Sequence, residues 1–130
     1  NIAERVPDRC LAVAPISSWH SREQYADANT IFSQDTSLMY LDPGLKSILE
    51  RTIIENDSAM LASNLKGMPI LVRHGGADNT VPVYHGRRMA RTAEEAGGLV
   101  TYSELEGKQH WWWDTKKTND GGPLHDDEMR

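Results

Sequence analysis

The sequence predicts an α/β fold: three mainly parallel strands with flanking helices. Three observations carry that expectation. Short apolar runs that suit strands recur at Arg9–Ile16, Met68–Val72 and Leu99–Leu105. Helical patterns fill the intervals, and strands alternating with helices imply crossover connections and parallel pairing. The run MPILV, Met68–Val72, has no polar residue, so it suits a strand covered on both faces.

Taken in order, "RCLAVAPI" is short and bounded by prolines, which favours a buried strand over a helix. It contains Cys10, the single cysteine, which can form no internal disulfide and reads as a small core residue. Residues 17 to 43 are polar, with a short helix expected over Glu23–Ala28 and irregular chain after it. "DPGLKSILERTIIEND" predicts a helix capped by Asp42, with Pro43 in its first turn. Leu45, Ile48, Leu49, Thr52 and Ile53 fall on one face of it. "SAMLASNLKG" reads as a second short helix or a turn, stopped by Gly67.

After the central strand, "VPVYHGRRMARTAEEAGG" predicts a long helix with Thr80 as its cap, Pro82 near its first turn and Gly97-Gly98 at its end. Val83, Met89, Ala90 and Ala93 have near-helical spacing. "LVTYSEL" alternates and is rich in β-formers, so it predicts the third strand. "EGKQHWWWDTKK" is expected to be a loop running into a helix. Residues 116–130 are polar and glycine-rich, and are expected to be a mobile tail.

The 130 residues fit one domain or part of one, with 38% apolar and 25% charged residues marking a folded chain. A net charge of −5 with no basic block disfavours nucleic acid as a partner. No apolar run approaches a membrane span, and no secretory or lipidation signal is visible, so no membrane partner is expected. The chain begins at Asn1, as a fragment or a processed product would. The compartment is not legible.

Functional groups on a parallel sheet gather at the carboxyl ends of its strands. Two loops qualify: "RHGGADNTVP" after the central strand, which holds Asp78, and the loop after Leu105, which holds His110. Consecutive parallel strands would set them side by side, the geometry an Asp–His relay needs. The bland reading of Asp78 is a turn aspartate that binds backbone amides. For His110 it is an ordinary loop histidine.

"LKGMPILVRHGGADNTVPVYHGRRMARTAEEAG" followed by "VTYSELEGKQH" resembles the C-terminal half of an α/β-hydrolase, most closely the prolyl-oligopeptidase-like serine hydrolases. "RCLAVAPISSW" is similar to the strand that follows the nucleophile-bearing segment. The resemblance covers most of residues 9 to 114. It implies that Asp78 is the acid and His110 the base of a Ser-Asp-His triad, in a peptidase or esterase acting on an ester or peptide substrate, without a cofactor. It also implies that residues 1–130 are the C-terminal portion of one hydrolase domain. G-x-S-x-G, the nucleophile elbow, does not occur here. The resemblance places that serine upstream, so the chain alone should be inactive. The missing N-terminal part of the domain, or a homo-oligomer, would then cover the open sheet edges. The alternative is a non-catalytic α/β-hydrolase-like binding or assembly module.

Other residues carry weaker readings. His74 is read as structural, bonding loop backbone, and His85 as a surface or packing residue. A metal site from His74, Asp78, His85 and His110 lacks ligand spacing. Ser17 and Ser18 have no flanking glycines to serve as a replacement nucleophile. Trp19 and Trp111–Trp113 fit core packing or an apolar substrate pocket equally. Asp114 stands too close to His110 to orient its ring.

Overall fold

The computed structural model describes residues 2–21, 42–55, 57–112 and 128–129. Its centre is a βαβ unit. Strand β1 (Pro69–Gly75) and strand β2 (Leu99–Leu105) pair in parallel, from Pro69 opposite Leu99 to Gly75 opposite Leu105. A helix at Tyr84–Glu95 crosses between them. β1 is buried along most of its length, as its apolar sequence requires, whereas β2 alternates between partly buried and exposed residues.

The expected first strand is present only as a broken track. Val13 and Ile16 bridge to Ile70 and Arg73 in parallel, without forming a regular strand. The bonds explain why. Val13 N–H donates to Pro69 O, Leu71 N–H to Val13 O, Arg73 N–H to Pro15 O and Ser17 N–H to Arg73 O. The next rung of a parallel ladder would come from the amide of residue 15, and proline has none. So among the described residues the sheet has two strands, not three, with residues 13–17 held in register beside β1.

Around it lie α1 (Ile2–Arg5), a 3-10 turn at Pro7–Arg9, α2 (Pro43–Ile54), α3 (Ser58–Leu61) continuing as a 3-10 turn at Ala62–Leu65, and the crossover helix, α4. Asp42 caps α2 as expected, its Oδ1 accepting from Gly44 N–H at 2.9 Å and Leu45 N–H at 3.1 Å. The apolar face of α2 stays open: Leu45, Ile48 and Leu49 are exposed, and no residue of this helix is buried. α4 begins at Val83–Tyr84 rather than at Thr80, whose amide is already bound by Asp78. The helix expected over 23–28, the one after His110 and most of the expected mobile tail lie outside the described residues.

The core is small. Ala3, Leu65, Met68, Ile70, Val72, Ala90 and Ala93 form it, with Cys10, Val13, Met89, Val100 and Tyr102 packed partly buried against it. Cys10 thus keeps its expected packing role, as a free thiol. The alanines on α4 let that helix lie close over β1.

Candidate active site

The site forms where β1 and β2 end together. Beyond Gly75 the chain turns sharply, and Asp78 N–H closes the turn on Gly75 O at 3.1 Å. The loop after β2 is stitched to this turn: Gly76 N–H donates to Leu105 O at 2.8 Å and Ala77 N–H to Lys108 O at 2.9 Å. Gly75 makes that approach possible. A Cβ there would stand 2.5 Å from Lys108 O and 2.8 Å from Gln109 O, closer than any side chain tolerates.

The stitched loops bring Asp78 to His110. The distance from His110 Nδ1 to Asp78 Oδ2 is 2.8 Å. An ionised carboxylate only accepts, so Nδ1 carries the proton, and the neutral ring presents Nε2 as its basic nitrogen. The Asp78 side chain is fully buried and that of His110 is 13% exposed, which places a shielded acid behind an accessible base.

The other carboxylate oxygen is occupied too. Asp78 Oδ1 accepts from Thr80 N–H at 2.9 Å and Val81 N–H at 2.8 Å. Burial by itself would raise the Asp78 pKa. The Val81 amide, the His110 ring and the Thr80 amide together outweigh it and hold the carboxyl below its ordinary range. The two sequence readings of Asp78 are therefore not rivals: one oxygen holds the turn and the other holds the histidine.

His74, the penultimate residue of β1, is fully buried beneath this turn. Its Nε2 lies 2.8 Å from Val81 O and 3.4 Å from Asp78 Oδ2. The expected backbone bond is there; the contact with Asp78 went unforeseen. Its only signal was the i,i+4 spacing, which has no meaning in a strand and gains one only through the turn. His85 is a packing residue on α4, buried, its Nδ1 accepting from His20 N–H at 3.3 Å. Burial lowers the pKa of both His85 and His20.

Ser17 adopts φ 45° at the end of the bridged segment, a conformation unusual without glycine. Its hydroxyl is buried and near enough to Asp78 to lower that pKa slightly, yet outside hydrogen-bond geometry. Ser18 Oγ donates to Ile16 O at 3.3 Å. Neither is poised as a nucleophile. Trp111 meets the His110 ring edge-on, with centroids 4.5 Å apart, and is 61% exposed. Trp19 is partly exposed and lines a cavity of about 590 Å³ with Val13, Pro15 and Met89. Neither belongs to the core. Trp113 and Asp114 lie outside the described residues. Among the described residues, no three or more His, Cys, Asp or Glu side chains are grouped to hold a metal ion. No helix among them is long and apolar enough to cross a membrane.

No family model matches the chain. It is similar to an uncharacterised secreted protein of Arthroderma benhamiae, 32% identical over 106 residues, which are 82% of this chain and 11% of that protein. Its structure is similar to that of the monoacylglycerol lipase of Paleococcus ferrophilus, with a TM-score of 0.51, 18% identity, and coverage of 88% of this chain and 56% of that one. It is also similar to esterase 2 of Thermogutta terrifontis, solved phosphonylated by sarin, with a TM-score of 0.46, 20% identity, and coverage of 84% and 37%. The chain thus spans about a tenth of the curated relative and about half or less of these solved chains. What is shared is the fold: the described residues form a partial α/β-hydrolase-like fold, a two-stranded parallel sheet with flanking helices.

Proposed function

We propose that this chain is the C-terminal part of a serine hydrolase domain, of prolyl-oligopeptidase-like type, supplying the acid and the base of a triad. The observation that carries the reading is the 2.8 Å contact of His110 Nδ1 with the buried Asp78 Oδ2, across the ends of two parallel strands. An upstream serine hydroxyl attacks the carbonyl of an ester or peptide. His110 Nε2 takes the hydroxyl proton as the Oγ–C bond forms, then gives it to the departing alcohol or amine. Water repeats the cycle in reverse and frees the serine. Asp78 stays ionised throughout, and its charge favours the imidazolium of each transition state. The same machinery serves esters and amides, so peptidase and esterase share this site.

The remainder of the domain has a matching edge to pair with. Val13, Pro15 and Ser17 direct their bonds toward β1, so Ala12, Ala14 and Ile16 direct theirs outward. We assign that outer edge to a strand of the N-terminal part of the domain or, in its absence, to a second copy of this chain.

The test is turnover of an activated ester by the longer protein that contains these residues. Asp78→Asn should lower turnover by about 10⁴-fold. A fluorophosphonate probe should label that protein at an upstream serine and leave this chain alone unlabelled. Labelling of the isolated chain would refute the upstream nucleophile. An unlabelled and inactive long protein would favour the alternative, a binding or assembly module in which Asp78 and His110 are relics.

A further inference from the structure

We infer that His74 is a positioning residue for the Asp78–His110 pair: through Val81 it pins the turn that holds the acid. The inference rests on the hydrolase reading above and adds a residue to it.

The ring's protonation follows from its neighbours. Val81 O can only accept, so His74 Nε2 carries a hydrogen. Nδ1 is buried and has no hydrogen-bond partner. A bare ring nitrogen suits that position better than an N–H would, because orphaned buried N–H groups are rarer in folded proteins than under-satisfied acceptors. Nε2 is therefore the nitrogen of His74 that carries the bonded hydrogen. Around it stand Asp78 and, within electrostatic reach, His85 on α4 and Glu104 on β2.

One residue links this ring to the acid twice over. The Val81 carbonyl accepts from His74, while the Val81 amide donates to Asp78 Oδ1 at 2.8 Å. Fixing Val81 fixes the carboxylate plane. His74 Nε2 also lies 3.4 Å from Asp78 Oδ2, the oxygen that binds His110, so the ring packs against the carboxylate while its hydrogen bond goes to Val81. The ring itself is held from behind. A Cβ on Gly86 would come 2.6 Å from His74 Nδ1 and 2.9 Å from its Cβ and Cγ. The helix therefore packs directly against the ring. The sequence Gly86, His74, Val81, Asp78, His110 is a continuous stack from helix to base.

Two variants in the longer protein separate positioning from simple filling. His74→Phe keeps the ring volume and removes the N–H. His74→Gln puts an amide N–H near the Nε2 position. His74→Phe should lower kcat by about tenfold to a hundredfold with KM changed less than about twofold, as a misplaced catalytic group does. His74→Gln should restore most of the loss. His74→Phe with wild-type kcat would overturn the inference, as would His74→Gln no better than His74→Phe. His110→Ala is the control: if it retains full turnover, the hydrolase reading itself falls. If it is inactive while His74→Phe is not, only the role of His74 falls. A measurement on the unaltered protein stands apart from variant folding. Imidazole ¹⁵N shifts should show His74 as the Nε2–H tautomer, and an Nδ1–H or charged ring would overturn the inference.

Discussion

At the scale of single residues, the site is a carboxylate with both oxygens engaged. Asp78 takes two backbone amides on one oxygen and the His110 ring on the other. This has a consequence for acid stability. A group held below its ordinary pKa in the fold binds its proton more readily when unfolded, so its contribution is complete above the ordinary value and drains as pH falls. For His20 and His85 the loss begins near their ordinary 6.5. For Asp78 it begins near 3.8 and runs downward. The melting temperature should therefore fall in two separate pH windows, and Asp78→Asn should shrink the lower one, leaving the share of Glu104, whose carboxyl the Arg87 guanidinium also holds below its ordinary range. Calorimetry across pH, with the variant beside the parent, reads this directly, and an unchanged lower window in the variant would contradict it.

At the scale of elements, closeness between backbones sets the site, and two glycines permit it. Gly86 is a revealing case because two effects oppose. Alanine in a helix interior gains up to about 1 kcal/mol over glycine. Here the added methyl would meet a buried, hydrogen-bonded ring at 2.6 Å, and overpacking of that kind costs about 1–3 kcal/mol. The ring cannot yield without breaking its bond to Val81, so the clash wins. Gly86→Ala should melt lower than the parent, whereas a gain in stability would show that the helix shifts freely. Gly75→Ala should be harsher, since the obstacles are carbonyls of the His110 loop and not a side chain. Its NMR signature should be loss of the downfield His110 Nδ1–H resonance.

At the scale of the whole molecule, the described core is modest and its neighbours are open. Leu45, Ile48 and Leu49 on α2 stay exposed, Leu11 is 95% exposed, and among the described residues Ala12 and Ala14, on the outer side of the bridged segment, have no strand paired to them. Exposed apolar area together with a free strand edge favours association. The isolated chain should self-associate with rising concentration, as read by sedimentation velocity, and supplying the N-terminal part of the domain should suppress this. A monomer with a two-state melt at all concentrations would contradict the proposed pairing edge.

Much of this was legible from local rules. Asp42 and Pro43 announced a helix start, MPILV a buried strand, and the order of elements a parallel sheet. Asp78 and His110 were legible as a pair because strand ends in a parallel sheet share an edge, which is a matter of topology and chain order. Other features depend on groups far apart in sequence meeting in space. Pro15 broke an expected strand because its missing amide fell where β1 needed a donor. Thr80 lost its expected capping role because Asp78 holds residues 80 and 81 in its own turn and the helix starts only at Tyr84. His74 became part of the site because the turn folds back over the strand and brings Val81 and Asp78 onto its ring. The sequence by itself determined that Asp78 and His110 stand at neighbouring strand ends, since periodicity, turn chemistry and chain order are local. Only the tertiary structure decided how the acid is held, since that depends on which donors reach a buried carboxylate.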